Sequence, residues 1–168
     1  MKRIIVITLT VVICFLLQTT VFQWFALANI VPNLLIIITA SIGFMRGRTE
    51  ALFTGLLCGL LVDCMYGDII GLCGLCYMLI GYISGFANII YLNNDYTLPI
   101  FVIGFADLLY CLVYYAFTFL LRSRLNIFYY FRRIMIPELI YTVLVSLVLY
   151  KLLYSLNGLL EKFEQKEA

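Results

Sequence analysis

Residues 43–86 read GFMRGRTEALFTGLLCGLLVDCMYGDIIGLCGLCYMLIGYISGF, and this stretch decides the fold. Small residues recur four apart at Gly43, Gly47, Ala51, Gly55 and Gly59, and Asp63, Gly67 and Gly71 continue the series. Positions four apart lie near one face of a helix. Glycine on such a face lets a second helix backbone approach closely, as in helix association within lipid. We therefore predict a flat glycine face that ends in a carboxylate at the membrane edge.

The next segment repeats the pattern. Gly74, Gly81 and Gly85 follow one another at spacings of seven and four. Each of the two segments therefore predicts a helix whose glycine face another helix can approach closely.

The composition is that of an integral membrane protein. Of the 168 residues, 65% are hydrophobic and only 12% are charged, and the mean hydropathy is +1.08. Soluble domains have about a quarter charged residues. The net charge of +2 gives no indication of a nucleic-acid partner. The chain has no histidine, which removes the commonest general base and the commonest metal ligand.

Apolar runs separated by charged or proline-containing breaks predict one all-α membrane domain over residues 1–168, with short loops and about six transmembrane helices. The predicted spans are 4–22, 30–45, 51–66, 71–91, 99–121 and 136–154. The first run resembles a signal peptide, but it is long enough to span, and we expect it to stay uncleaved. The third span is short and rich in glycine, so we expect protein around it rather than lipid.

Gln18 and Asn33 are polar residues in the first two predicted spans. Gln18 lies deep in the first run, where it either bonds a neighbouring helix or partner or meets water at interface depth. Pro32 opens the second span, where its missing N–H costs nothing, and Asn33 is then a polar residue of the first turn.

Charged residues between the second and third spans predict the orientation. Arg46, Arg48 and Glu50 form a compact turn, and arginines so close to span ends indicate a cytoplasmic loop. Thr49 is a candidate cap for the third helix. Six spans place four arginines, at 122, 124, 132 and 133, on the outer side, whereas a re-entrant third segment would place them inside. These four arginines surround the aromatic run 128–131, and such a combination is typical of an interfacial segment.

Asp107 lies inside the fifth span, and a carboxylate within a membrane is a functional candidate. The interpretation we favour is structural, with a protonated acid bonded to Tyr110 or another nearby tyrosine. Glu138 would meet Asp107 only by an accident of packing. The six cysteines include Cys73 and Cys76, and we interpret that pair as small apolar side chains and not as a metal or redox site. A disulfide between Cys64 and Cys73 is conceivable but not required.

Several of these residues, in this order, resemble the signature of the rod shape-determining MreD family. They are Gln18-Thr19-Thr20, Pro32-Asn33-Leu34-Leu35, Gly55-x-x-x-Gly59-x-x-x-Asp63, Gly67, Gly71, Tyr77 and Gly81-Tyr82. The family usually has Pro-Asp where this chain has Pro-Asn. The resemblance covers residues 1 to about 90, and beyond that only hydropathy agrees.

The resemblance implies six spans with both termini in the cytoplasm, in the bacterial inner membrane. It implies a membrane scaffold of the elongation machinery that binds MreC and, through it, MreB, RodA and a class B penicillin-binding protein, in contact with membrane lipid. It also implies an architecture similar to the substrate-binding subunits of energy-coupling-factor vitamin transporters. A transporter subunit is therefore the alternative, although the bulky first span lacks the small-residue docking motif of those proteins. No catalytic constellation is present, so we expect no enzyme, no cofactor and no metal.

Overall fold

The computed structural model describes residues 2–24, 30–66, 71–90, 97–122 and 131–167, and these residues are almost all helical, with no strand among them. The helices are α1 Lys2–Thr19, the single turn α2 Val21–Trp24, α3 Leu34–Arg46, α4 Arg48–Tyr66, α5 Leu72–Ile90, α6 Thr97–Arg122 and α7 Ile136–Glu167. A π-helical turn, Phe131–Met135, leads into α7. The protein is thus an all-α membrane protein, as its composition predicts.

The short helix α3 is the centre of the molecule. Ten of its thirteen residues are buried, and Leu35, Ile36 and Ile37 are fully enclosed. Helices α1, α4, α5, α6 and α7 all pack against it. With a length of about 20 Å, α3 is shorter than a hydrocarbon core of about 30 Å. Protein therefore surrounds the second predicted span. Helix α4, in the third predicted span, leaves Phe53 and Met65 more than half exposed, so protein encloses that span only in part.

Helices α4 and α5 form the closest pair and run antiparallel. Arg48 at the start of α4 lies opposite Gly85 near the end of α5, and Gly59 in the second half of α4 lies opposite Gly74 near the start of α5. Helix α6 then packs on α5 and α3, and α7 packs on α3 and α6.

Four helices in the described ranges are long and apolar enough to cross a membrane, over residues Ile4–Trp24, Leu72–Ile89, Thr97–Phe117 and Phe131–Leu160. Large apolar side chains cover their outer faces, among them Leu9 of α1, Phe101 of α6 and Val148 of α7. Trp24 is almost fully exposed at the end of α2, as an aromatic residue of the membrane interface would be. A surface of this kind is suited to lipid and not to water.

The last helix is longer than the sequence pattern predicts. The sixth predicted span ends at residue 154, but α7 continues to Glu167. Leucine, glutamate, lysine and glutamine dominate the extension, and these residues are good helix formers. Charge therefore ends the apolar run there without ending the helix.

Candidate functional site

Asp63 joins the C-terminal end of α4 to the N-terminal end of α5. Its carboxylate oxygens accept hydrogen bonds from the backbone N–H groups of Gly71 at 2.9 Å, Cys73 at 3.1 Å and Gly74 at 2.9 Å. The side chain is only 2% exposed. The first N–H groups of a helix lack intrahelical acceptors and carry partial positive charge. A carboxylate supplies these groups with hydrogen-bond acceptors and with a compensating negative charge. Asp63 therefore caps the helix that follows it.

Gly71 is the residue that lets the chain turn into this cap. Its φ of +103° belongs to the left-handed region, which glycine adopts without strain. Backbone N–H groups, and neither Gln18 nor Asn33, are the hydrogen-bond partners that the described residues provide for Asp63. Gly67, the preceding member of the glycine series, lies outside the described residues.

The glycine face of α4 meets the backbone of α5 directly. A Cβ atom at Gly55 would run into the carbonyl of Tyr77, and one at Gly59 into the carbonyl of Cys73 and the Cα of Gly74. No side chain separates the two helices at either place. The glycines thus set the distance between α4 and α5.

Glycines of α5 complete the same contact from the other side. A Cβ atom at Gly81 would meet the Ala51 carbonyl, and one at Gly85 would lie 2.5 Å from the Cα of Arg48. The Arg48 guanidinium lies 4.2 Å from the ring centroid of Phe86, next to that contact. Arg48 therefore packs its side chain over α5 at the end of the pair opposite Asp63.

Asn33 is a buried polar junction of three helices. Its Oδ1 accepts hydrogen bonds from the Tyr77 hydroxyl of α5 at 2.7 Å and from the Ile36 N–H of its own helix at 3.3 Å. Its backbone N–H donates to Thr142 Oγ1 of α7 at 3.2 Å. Asn33 is thus the N-cap of α3 and at the same time ties α3 to α5 and α7.

Gln18 adds a fourth helix to this junction. Its Oε1 accepts a hydrogen bond from the Leu35 N–H at 3.3 Å, so the neighbouring-helix alternative is the one realised. Pro32, fully buried, contributes no N–H at this helix end. Sequence reasoning missed Thr142, whose only signal was a hydroxyl within an apolar span.

The charged turn at the other end of α3 is tight. Gly47, with a φ of +91°, links α3 to α4. The Arg46 Nε donates to Asn157 Oδ1 of α7, and Glu50 lies in the first turn of α4. Because α4 begins at Arg48, Thr49 lies inside that first turn and not at the predicted cap position.

A second polar cluster lies between α6 and α7, and the tyrosine bond expected there for Asp107 is wrong. Asp107, which is fully buried, has no hydrogen-bond partner on either oxygen among the described residues, so the expected bond to a tyrosine is absent. Tyr110 instead packs its ring edge-on against Tyr77, with centroids 5.1 Å apart. Glu138 does meet Asp107, and Cys111 completes the group.

The six cysteines are free thiols. Cys64 is exposed whereas Cys73 is buried beside the Asp63 cap, so the conceivable disulfide between them is not formed. The aromatic run 128–131 with its flanking Arg124 lies mostly outside the described residues.

The model of the family described as rod shape-determining protein MreD matches residues 1–159 of the chain. No curated protein and no solved structure matches it significantly, so the expected likeness to vitamin-transporter subunits stays an expectation. The family match extends well past residue 90, where the sequence signature ended. With the Asp63 cap and the glycine contact in the positions of that signature, the chain belongs to the MreD family of rod shape-determining membrane proteins.

Proposed function

We propose that this protein is a non-catalytic scaffold of the bacterial elongation machinery, which supports lateral peptidoglycan synthesis by binding MreC in the inner membrane. Through MreC it would connect to the MreB filament, RodA and a class B penicillin-binding protein. Both termini would be cytoplasmic. Family membership supports the role in shape determination. The binding of MreC, the connection to the other partners and the cytoplasmic termini are our proposal.

One observation carries the proposal: the signature residues within the described ranges serve to hold helices together. Asp63 caps α5, the glycines set the distance between α4 and α5, and Asn33 joins three helices. Residues used in this way build a rigid body with a fixed outer surface, which is what a scaffold requires.

The experiment is photo-crosslinking in living cells. A photoreactive phenylalanine analogue replaces one outward-facing residue at a time on three helices: Ile5 or Leu9 on α1, Phe101 or Phe105 on α6, and Leu144 or Val148 on α7. All six side chains are more than half exposed, so the substitutions leave the packed interior unchanged. We expect one helix face to crosslink to MreC and the other faces to crosslink mainly to lipid.

The matched control places the analogue at buried Ile37, where it should give no intermolecular product. Absence of MreC from the products of all six exposed positions would count against the proposal. Co-purification from detergent distinguishes the scaffold from the alternative, a transporter subunit. A bound vitamin without MreC would indicate the transporter subunit.

A further inference from the structure

The cluster between α6 and α7 consists of three potential metal ligands. Asp107 and Cys111 are four residues apart on α6, and such residues lie on one helix face. Glu138 comes from the first turns of α7. One carboxylate oxygen from each acid and the Cys111 sulfur all lie within 4.8 Å of one another.

Asp107 points to a missing partner. The side chain is 0% exposed, and neither oxygen has a hydrogen bond among the described residues. Buried polar atoms in proteins nearly always have a partner, and an unpartnered carboxyl group within a membrane is costly. A second carboxyl group beside it adds to the cost, because like charges at short range repel. A cation between the three ligands would remove both penalties.

We propose that Asp107, Cys111 and Glu138 bind one divalent transition-metal ion, with zinc as the best match. A thiolate selects zinc over magnesium or calcium, which require six or more oxygen ligands. Three protein ligands with a fourth position left for water or another oxygen is an ordinary zinc arrangement. Tetrahedral bonds to zinc place such ligand atoms roughly 3.3–3.8 Å apart, so small rotamer changes close the group around an ion.

The position of the site gives the ion a structural effect. It would clamp α6 to α7 beside Thr142, which is fully buried and accepts the hydrogen bond from the Asn33 N–H. Metal binding would therefore stabilise the same helix that closes the Asn33 junction. This inference does not depend on the identity of the protein's partners.

The test uses the full-length protein in detergent, stripped with a chelator and then titrated with Co²⁺ alone. We expect one Co²⁺ per chain, a thiolate-to-cobalt charge-transfer band in the near ultraviolet, and displacement of that band by Zn²⁺. Zn²⁺ should also raise the unfolding temperature. A wild-type protein that binds no Co²⁺ and whose unfolding temperature is unchanged by Zn²⁺ would overturn the proposal, since the cluster would then hold protons only.

Single substitutions assign the ligands. Cys111→Ser, a change of one atom, should abolish the band, and Asp107→Asn and Glu138→Gln should weaken binding at least about tenfold, because even outer-shell changes cost that much. Cys76→Ser, at another buried cysteine, is the matched control and should keep the band. A band lost in Cys76→Ser but kept in Cys111→Ser would also overturn the proposal. If an acid variant fails to fold, the two serine variants still decide.

Discussion

At the scale of single residues, the structure relies on a few buried polar side chains that satisfy helix ends. A helix N-terminus inside a membrane has no water to bond, so each free N–H needs a protein acceptor. Asp63 supplies acceptors for α5, while Asn33 and Gln18 supply them for α3. Substitutions here should therefore act through the helix ends and not through lost apolar packing.

Asp63→Asn and Asp63→Leu test this cap. The asparagine keeps one acceptor oxygen and turns an NH₂ group toward N–H donors, so we expect a loss of about 2 kcal/mol or more in unfolding free energy. The leucine leaves all three N–H groups without a partner and should cost more. Both variants should impair rod-shape maintenance in a complementation assay, with the membrane level of the protein measured in parallel. Full complementation by Asp63→Leu at a normal membrane level would refute the idea.

Tyr77→Phe tests the Asn33 junction. The change removes the hydroxyl that donates to Asn33 Oδ1 while the ring and its packing stay. We expect a loss of about 1 kcal/mol, the usual net value of one neutral hydrogen bond. The measurement is thermal unfolding in detergent, with Tyr82→Phe as control because Tyr82 is 40% exposed. Equal stability of the two variants would contradict the prediction.

At the scale of helices, the glycine pattern predicted a close helix contact at the glycine face, because spacing by four is a property of the helix itself. It did not predict that α5 would be the partner of α4. The partner of each glycine could not be predicted, since the register between two helices depends on packing in three dimensions. The same limit explains why the contact between Asp107 and Glu138 could not be predicted. They are 31 positions apart in sequence, and only the antiparallel packing of α6 and α7 brings them together.

Gly59→Leu and the milder Gly59→Ala test the contact. A Cβ atom at this position would lie 2.5 Å from the Gly74 Cα, so the helices must separate. Overpacking of this kind costs about 1–3 kcal/mol. We expect less protein in the membrane and a lower unfolding temperature, and the same for Gly55→Leu.

Gly158→Ala is the matched control, because an added Cβ meets nothing within 4 Å there. This half-buried helix position should gain up to about 1 kcal/mol from the better helix propensity of alanine. Wild-type stability and complex yield in the double variant with leucine at 55 and 59 would mean that the glycines only fill space.

At the scale of the whole molecule, the apolar composition predicted the membrane class, and the apolar runs with their charged or proline-containing breaks predicted the all-α fold. Orientation remains a prediction from the arginines at 46 and 48. The central place of α3 was not predicted. A short apolar run looks the same in sequence whether lipid or protein surrounds it, and burial by five other helices is a property of the assembled bundle.

Cysteine labelling tests the orientation. A cysteine in place of exposed Thr49, in a Cys64→Ser background, should not react with a membrane-impermeant thiol reagent in intact spheroplasts. Native Cys64 is exposed near the opposite end of α4 and should react if α4 crosses the membrane. Labelling at position 49 together with no labelling at Cys64 would reverse the proposed orientation.

The enclosure of α3 has a consequence for the order of biogenesis. The ribosome makes α3 before four of the helices that surround it, and the Thr142 hydroxyl that receives the Asn33 N–H is made more than a hundred residues later. During that interval α3 lacks part of its packing neighbours and part of its hydrogen bonds. Its final environment is therefore complete only after α7 has been inserted, and chains that stop before residue 131 should be substrates for membrane quality-control proteases.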